Sequence, residues 1–515
     1  MSQLKKSSGS TGAGEQTDLV KGLGLFDSTM LVVGSMIGSG IFIVSADIVH
    51  QVKSPGLLIL VWLVTGVMTL IGALSYGELA AAMPHAGGQY VYLREALGPI
   101  WGFLYGWTLL LVIQTATIAA VAIAFAKFTA VMVPWFSASA WIWKVGTFGP
   151  WQMWFGTLGP YSVGLNRQNL LAILSIVLLT WINTRGLRLG SIVQNIFTVA
   201  KTGSLAALVL LGFWFSTAVA RTANFTDFWR NAGLSAVHPY PPDAPTWTIG
   251  TITLIGVAMV GALFSADAWN NITFTAGEVK NPSRNLPLSL AFGTLIVTVL
   301  YTLANVAYLR VLPISGDPHG ATVLSRGIEF AADGRVGTAL AEVIFGPAGA
   351  IVMAVAILIS SFGCNNGLIL SGARVYYVMS KDRLFFKSVG KVNRFHAPAV
   401  ALVVQCIWAS ILCLSGTYSQ LLNFLIFAVL IFYILTLTAL FVLRWKRPEM
   451  ERPYRAFGYP FLPALYIVMA VFIEIQLLRY APEYTWPGLI IVLLGVPVYW
   501  LWKFAGKSDS VSNAA

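Results

Sequence analysis

The sequence is short of charge: Asp, Glu, Lys and Arg together make up only 10% of its 515 residues. Soluble globular domains carry about 25% charged residues, so this chain cannot cover the surface of a soluble protein of its size with charge. Hydrophobic residues reach 57%, and the mean hydropathy is +0.75. This composition excludes an ordinary soluble enzyme, a disordered chain and a disulfide-stapled secreted domain. It indicates a polytopic membrane protein.

Cysteine and histidine are also scarce. The three cysteines, Cys364, Cys406 and Cys413, all lie in apolar stretches without metal-site spacing. We interpret them as buried free thiols, and we expect no metal and no cofactor. The five histidines fall in loops or at the ends of apolar runs. They form no catalytic constellation at one depth, which argues against an enzyme embedded in the membrane.

No cleavable signal peptide precedes the first apolar run, and residues 1–20 are polar and rich in Ser, Gly and Lys. A membrane-spanning helix needs about 20 mostly apolar residues. The sequence predicts twelve spans, near 26–49, 57–82, 100–133, 165–184, 190–214, 247–277, 286–312, 336–379, 397–416, 420–444, 459–480 and 484–504. The third and eighth are overlong, and tilt or extension beyond the bilayer would absorb the excess.

The Lys and Arg residues between these spans are distributed unevenly. With the N-terminus inside, cytoplasmic segments hold 20 of them and the opposite segments hold 9. The positive-inside rule therefore predicts that both termini are cytoplasmic. The net charge of +12 is then a topology signal, and we expect no nucleic-acid partner.

Glycine and serine cluster in the middle of the first span, in Gly34-Ser-Met-Ile-Gly-Ser-Gly-Ile-Phe42. These residues are costly inside a helix, and backbone that leaves the helix within a bilayer must line a protein cavity and find partners. An unwound segment would offer its N–H groups and the positive end of the next half-helix to a carboxylate. The alternative is close helix packing through Gly34 and Gly38, which have G-x-x-x-G spacing. The length of the run favours the unwound segment.

The sixth span loses its apolar periodicity through Ser265–Asn271 and places an acid, Asp267, at about mid-depth. A carboxylate inside the membrane is functional by default. Interruptions in the first and sixth spans indicate an inverted repeat, in which spans 1–5 match spans 6–10. Carbonyl groups freed at Phe264, Ser265 and Asp267 would accept hydrogen bonds from an ammonium group. The two breaks together predict a binding site for an α-amino acid.

Two further charged residues lie within spans. Lys201, in the fifth span, either snorkels to the interface or lies buried, where it could exchange a proton or replace a cation between the two broken helices. Its position alone leaves these interpretations even. Glu78 lies near the cytoplasmic end of the second span. We interpret it as an anchor between helix and loop rather than as a proton carrier.

At these residues the chain resembles the amino acid–polyamine–organocation transporter superfamily, and within it the L-type amino acid transporter family. Four motifs carry the resemblance, and they lie in order between residues 21 and 466. They are Gly34–Phe42; Gly72–Glu78 with His85–Glu95; Trp269-Asn270 with Gly277–Pro282 and Arg284–Pro287; and Arg444–Tyr454.

The resemblance implies an all-α fold of twelve transmembrane helices, a leucine-transporter-like 5+5 inverted repeat with broken helices 1 and 6, working by alternating access. It implies that the substrate carboxylate binds at Ser35, Met36, Ser39, Gly40 and Ile41. It implies that the ammonium group binds at Phe264, Ser265 and Asp267, with Phe264 as the gate. It also implies that Lys201 occupies the place that sodium fills in related symporters, which predicts sodium-independent transport.

The chain departs from the family pattern at three places. Asp267-Ala268 stands where the family often has glycines, and members that accept cationic amino acids share an acid there. Gln114 stands where several members carry arginine. The loop after the third span has no cysteine, so we expect no disulfide-linked accessory subunit of the kind seen in animal members.

The sequence therefore predicts a sodium-independent secondary transporter of neutral L-amino acids, an exchanger or a proton-coupled carrier, in the cell membrane. The alternative within transport is a carrier of cationic amino acids or polyamines that uses Asp267 as counter-ion. A channel would need rings of carbonyls or charges along a continuous pore. The predicted parts are a disordered cytoplasmic tail at 1–20, a transport core of ten spans at 21–450, spans eleven and twelve at 451–505, and a second tail at 506–515.

Overall fold

The computed structural model describes residues 19–230, 235–237, 247–415, 418–480 and 482–512, and most of them are α-helical. The predicted tail at 1–20 lies almost wholly outside these residues, and the predicted tail at 506–515 lies partly outside them. The α-helices are α1 Leu25–Met36, α2 Val44–Val52, α3 Pro55–Ala82, α4 Gln89–Leu97, α5 Pro99–Thr108, α6 Gln114–Met132, α7 Arg167–Thr184, α8 Leu187–Trp214, α9 Ala218–Phe225, α10 Thr251–Ser265, α11 Asn271–Phe274, α12 Pro282–Val311, α13 Val323–Arg326, α14 Val336–Phe345, α15 Ala348–Lys381, α16 Ala399–Ser415, α17 Tyr418–Lys446, α18 Phe461–Tyr480 and α19 Pro482–Ser512.

Within the described part of the chain, eight helical stretches are long and apolar enough to cross a membrane. They are Pro55–Ala82, Pro99–Met132, Leu187–Trp214, Pro282–Val311, Ala348–Lys381, Leu425–Lys446, Phe461–Tyr480 and Thr485–Phe504. Four shorter apolar helices accompany them: Leu25–Met36, Thr251–Ser265, Val336–Phe345 and Ala399–Leu414. The helical, polytopic architecture is confirmed, whereas the count of twelve spans stays a prediction.

The first predicted span is broken. Helix α1 ends at Met36, Ile37 is extended (φ −74°, ψ 97°), and a 3₁₀ turn at Gly40–Phe42 leads into α2. Gly34 also allows close packing, because a Cβ atom there would lie 2.0 Å from the Gln194 amide nitrogen on α8. The two interpretations of the glycine and serine cluster therefore apply to neighbouring positions: Gly34 packs against α8, and the helix unwinds just after it.

The sixth predicted span is broken at the expected place. Helix α10 ends at Ser265, and α11 begins at Asn271. Between them Ala268 has φ +66°, a left-handed conformation that favours glycine and costs other residues about 1–2 kcal/mol. Alanine thus occupies a glycine-type conformation at the position where the family often has glycine.

The overlong spans have different explanations. Residues Pro99–Met132 form one helical run with a π-helical turn at Leu109–Ile113. At 1.5 Å per residue this run is about 50 Å long and must extend beyond a hydrocarbon core of about 30 Å. The predicted span 336–379 is not one helix: α14 and α15 are separated at Gly346-Pro347, where Gly346 has φ +64°. The expectation of a single overlong eighth span was wrong.

Strands were not predicted, but three antiparallel pairs occur in the connecting segments. They are β1 Trp141–Phe148 with β4 Tyr161–Asn166, β2 Trp151–Met153 with β3 Gly156–Leu158, and β5 Ser235–Val237 with β6 Trp247–Ile249. Strands β1 to β4 form one continuous hairpin between α6 and α7. We call the end of the bundle that carries it the hairpin side, and the end that carries Leu19–Gly24 the N-terminal side.

Backbone hydrogen bonds connect the two broken helices on the N-terminal side. The N–H groups of Gly22 and Leu23 donate to the Glu278 carbonyl over 2.8 and 3.0 Å, and Lys280 N–H donates to the Leu23 carbonyl over 2.8 Å. This short parallel bridge joins the segment before α1 to the segment that follows α11. The start of the first span and the end of the sixth span are therefore held together by backbone hydrogen bonds and not by side chains alone.

Buried ion pairs hold further helices together on this side. The Glu78 carboxylate accepts hydrogen bonds from Arg444 (2.9 and 2.6 Å) and from Ala456 N–H (2.6 Å). The anchor role predicted for Glu78 is therefore confirmed. Glu278 pairs with Arg374 of α15 over 2.8 and 3.0 Å, and both side chains are 1% exposed. The sequence pattern had not singled out either member of this second pair.

The two helix breaks contact each other. A Cβ atom added at Gly40 would lie 2.3 Å from the Ser265 hydroxyl oxygen and 3.2 Å from its Cα. The Gly40 backbone packs directly against Ser265, so there is no room for a methyl group on the Gly40 Cα atom. Glycine at this position therefore sets the distance between the first and sixth spans.

We expect Gly40→Ala to destabilise the fold by about 1–3 kcal/mol, the usual cost of overpacking a well-packed site. The measurement is the thermal unfolding midpoint of purified protein in detergent, with Gly203→Ala as matched control, because a Cβ atom at Gly203 meets nothing within 4 Å. Equal midpoints for the two variants would show that the breaks do not pack as described.

Candidate functional site at the helix breaks

Side chains from three helices bond to the carbonyl oxygens of the first break. The Ser360 hydroxyl group lies within hydrogen-bonding distance of two carbonyl oxygens, Ile37 O (3.1 Å) and Gly38 O (3.0 Å), and can donate to either. Further donors are Tyr301 Oη to Met36 O (3.1 Å), Tyr308 Oη to Ile41 O (3.2 Å) and Cys364 Sγ to Ser35 O (3.1 Å). The first N–H groups of a helical turn have no acceptor within their own helix. In the turn at Gly40–Phe42, the Phe42 N–H donates to Ser39 O over 3.1 Å, so the N–H groups of Gly40 and Ile41 are the ones suited to an anion.

Lys201 lies against the same break. Its side chain is 1% exposed, and its ammonium group donates to Gly34 O, to Ile37 O over 2.7 Å and to Ser360 O over 3.4 Å. The snorkelling interpretation is therefore wrong, because the ammonium group points into the bundle. All three of these acceptors are backbone carbonyls, two on the broken first span and one on α15.

The carbonyls of the second break are partly engaged. Phe264 O accepts from Asp267 N–H over 3.2 Å and also from Ala266 N–H. Tyr301 Oη lies 3.2 Å from Ser265 O and 3.1 Å from Met36 O, and its one proton can go to either. Of the two carbonyls, Ser265 O therefore has more capacity left for an ammonium group. Phe264 is half-buried and packs against the core, and its role as a gate stays a prediction.

The Asp267 carboxylate is held by α17. Its Oδ1 atom accepts a hydrogen bond from Tyr433 Oη over 2.6 Å. Asp267 also lines a narrow cavity beside the second break, which in this conformation has room for little more than a water molecule. The other lining residues are Gln89, Tyr105, Leu109, Ile113, Gln114, Thr117, Ala268, Asn270, Asn271, Phe274, Leu368, Val429, Phe432 and Tyr433.

The structure brings some predicted site residues together and separates others. Gly40 and Ser265 are in direct contact, and Lys201 touches the first break. The cavity lining among the described residues includes Asp267 but none of Ser35, Met36, Ser39, Gly40 and Ile41. The Ser35 hydroxyl faces α15, since a Cβ atom at Gly367 would lie 2.6 Å from it. The predicted carboxylate and ammonium residues thus meet through Gly40 and Ser265, on one side of the cavity.

One face of α12 contributes residues that had not been singled out from the sequence. Tyr301 lies within hydrogen-bonding distance of carbonyls in both breaks, at Met36 and at Ser265. Asn305 accepts from Ser45 of α2 over 2.7 Å, and Tyr308 bonds the first break. These three residues have i, i+4, i+7 spacing, which places them on one helix face. That polar stripe in an otherwise apolar span was the available signal.

Comparison with known proteins identifies the family of the chain. Residues 23–499 match the model of the amino acid permease family. The chain is 28% identical over 513 residues to the large neutral amino acids transporter small subunit 2 of Homo sapiens, covering 99% of this chain and 85% of that protein. It is 31% identical over 440 residues to the b(0,+)-type amino acid transporter 1 of Oryctolagus cuniculus, covering 85% and 79%. It is 29% identical over 489 residues to the serine/threonine exchanger SteT of Bacillus subtilis (strain 168), covering 94% and 98%.

The matched region contains both helix breaks, Lys201 and the buried ion pairs. The resemblance stated from the sequence motifs is confirmed, and the alternative of a membrane-embedded enzyme is wrong, since these relatives are transporters. The chain belongs to the amino acid permease family of multi-pass membrane transporters.

Proposed function

We propose that this transporter moves neutral L-amino acids independently of sodium, by alternating access, as an exchanger or coupled to protons. The contact between the two breaks carries the proposal. Gly40, the first residue of the turn Gly40–Phe42, contacts Ser265 at the end of α10. This contact supports a site with the N–H groups of Gly40 and Ile41 on one side and the carbonyl groups of Phe264 and Ser265 on the other. An α-amino acid has a carboxylate that matches the first set and an ammonium group that matches the second, whatever its side chain.

The position of Lys201 supports sodium independence. A hard cation such as sodium is bound by oxygen ligands, and backbone carbonyls are typical ones. Here the carbonyls of Gly34, Ile37 and Ser360 already surround a lysine ammonium group. The positive charge that would otherwise come from a bound ion is part of the chain.

The names of the relatives favour amino acids but differ in substrate. One relative is named for large neutral amino acids, another as a serine/threonine exchanger, and a third as a b(0,+)-type amino acid transporter. Two of the three names specify neutral substrates, and one specifies exchange.

The orientation and partners follow from charge and cysteine placement. The excess of Lys and Arg on the N-terminal side supports a cytoplasmic location for both termini in the cell membrane. The loop 133–166 contains no cysteine, and the three free cysteines lie in α15 and α16. We therefore propose a transporter without a disulfide-linked accessory subunit.

The direct test is uptake of radiolabelled leucine, alanine and arginine by proteoliposomes that contain the purified protein. We expect leucine and alanine uptake that is unchanged when potassium replaces sodium, and that responds to amino acid preloading or to a proton gradient. Empty liposomes are the control. Absence of amino acid uptake would refute the proposal, and sodium-dependent uptake would refute its coupling mode.

We expect Lys201→Ala to lower leucine uptake by at least about tenfold, because it leaves buried carbonyls of the break without partners, at about 1–3 kcal/mol for each group. Lys127→Ala is the matched control, since Lys127 lies on α6 with its side chain exposed. Uptake is compared at equal amounts of folded, monodisperse protein. Equal rates for the two variants would remove Lys201 from the transport mechanism.

A second candidate function is transport of cationic amino acids or polyamines. It rests on the Asp267 carboxylate, which lies at the edge of a polar cavity with Gln89, Gln114 and Asn270 in its lining. A substrate ammonium or guanidinium group there would form a charge-assisted hydrogen bond in a poorly hydrated site.

Under this second candidate, Asp267→Asn lowers arginine uptake by about tenfold to a hundredfold and leucine uptake much less, since the bond to a charged group is worth about 1.5–3 kcal/mol. Asparagine keeps the size of the side chain and removes only the charge. Asp333→Asn, at a residue that is 58% exposed, controls for charge removal elsewhere. Equal losses for arginine and leucine would eliminate the cationic alternative.

A further inference from the structure

The hairpin between α6 and α7 has an unusual composition that the transport site does not explain. We call residues 141–166 the aromatic hairpin. Its 26 residues include four Trp, two Phe and one Tyr, one cation, Lys144, and no acid. A connecting loop in water is normally polar. Half of the residues in this segment, 13 of 26, are hydrophobic.

The large side chains of the aromatic hairpin are exposed. The exposed fractions are 63% for Trp143, 71% for Trp154, 49% for Trp151 and 52% for Ile142. Three exposed tryptophans within one short hairpin concentrate apolar surface there, and exposed apolar surface of this kind marks contact with another apolar phase or molecule.

The attachment points of the aromatic hairpin fix its depth. Strand β4 ends at Asn166, whose side chain accepts from Asn169 N–H over 2.7 Å and caps the start of α7. At the other end, the Trp154 ring packs on the ring of Trp486 with centroids 4.5 Å apart. Trp486 lies in the second turn of α19, at the start of the candidate span Thr485–Phe504. Both attachments are therefore at helix ends, where the hydrocarbon core stops.

The aromatic hairpin lies along the bundle rather than projecting from it. Strand β4 contacts α16, and strand β3 contacts α19. Eight extended residues in β1 span about 26 Å, and neighbouring helices are about 8–10 Å apart. The hairpin is thus long enough to reach from the hairpin-side end of α7 past α16 to that of α19.

We propose that the aromatic hairpin is embedded in the lipid headgroup and glycerol region of the leaflet on the hairpin side, and that phospholipid is its partner. Tryptophan is enriched at this depth, because its ring is apolar and its indole N–H is a hydrogen-bond donor. The Lys144 ammonium group lies 5.3 Å from the Trp141 ring, so the one charge of the hairpin is a cation that suits lipid phosphate. A protein partner would more typically be matched by charges of both signs.

The surface next to the aromatic hairpin also favours lipid. Exposed apolar side chains continue from it down α7, at Leu174 and Leu178, and down α19, at Leu493 and Leu494. On spanning helices such residues face lipid chains. The aromatic hairpin extends this lipid-facing surface into the headgroup layer and attaches the ends of three helices, α7, α16 and α19, to it.

The test is site-directed spin labelling of single cysteines introduced by Trp143→Cys and Trp154→Cys in the full chain, reconstituted in phosphatidylcholine–phosphatidylglycerol vesicles. Asp317→Cys, at an exposed residue of the segment between α12 and α13, is the aqueous control. Labelling of the unmodified protein, whose Cys364 and Cys413 are buried, sets the background. Met153→Cys replaces either tryptophan variant that fails to elute as monodisperse protein.

We expect the labels on the aromatic hairpin to collide severalfold more often with oxygen, relative to a water-soluble nickel chelate, than the label at position 317. A ratio equal to that at position 317 would place the hairpin in water and overturn the proposal. Low accessibility to both reagents would show that protein covers the hairpin, either a partner or a second copy, and would also overturn it. The result does not depend on which amino acid is transported, so it is separable from the proposed function.

Discussion

Hydrogen bonding to the backbone of the broken first helix is the interaction on which the rest of the site depends. Lipid offers no partners for freed carbonyl groups, and each one left unbonded costs several kcal/mol. Lys201 comes from α8, Ser360 from α15, and Tyr301 and Tyr308 come from α12. Because the donors come from three helices, the unwound segment exists only when those helices are packed around it. The glycines permit the break, and the bundle maintains it.

Buried ion pairs also connect distant helices. The chain has few charged residues, and two of its buried ion pairs connect helices that are distant in sequence. Glu278 and Arg374 join the end of the sixth span to α15, and Glu78 joins α3 to the end of α17. Removing one partner of such a pair leaves an uncompensated charge, which typically costs about 3–5 kcal/mol. Membrane permeases can therefore be poor in charge and still depend on individual charges for their tertiary structure.

Features with a local sequence signal could be predicted, and features that depend on distant partners could not. Both breaks follow from small or polar residues in apolar runs, and the anchor at Glu78 follows from an acid near the cytoplasmic end of an apolar span. Tyr301 bonds to a carbonyl 265 residues away, and nothing in a single sequence specifies that pairing. The left-handed conformation of Ala268 is set by packing. The separation of the eighth span has a local signal, Gly346-Pro347, which the prediction of a single span overlooked. The predicted ligand contacts of the site residues stay predictions; these residues are Ser35, Met36, Ser39, Gly40, Ile41, Phe264, Ser265 and Asp267.

The backbone bridge between Leu23 and Val279 has a mechanical consequence. The two broken helices touch at Gly40 and Ser265, and the bridge joins them again on the N-terminal side. Two attachment points fix both the distance between the two broken helices and their relative tilt. In the proposed alternating-access cycle, the N-terminal-side halves of the two broken helices must therefore move together, or else the three backbone hydrogen bonds of the bridge must be replaced by hydrogen bonds to water. A side-chain gate opens when a few side-chain torsion angles rotate. The two broken helices separate on the N-terminal side only if the backbone bridge between Leu23 and Val279 breaks, and otherwise they move as one unit.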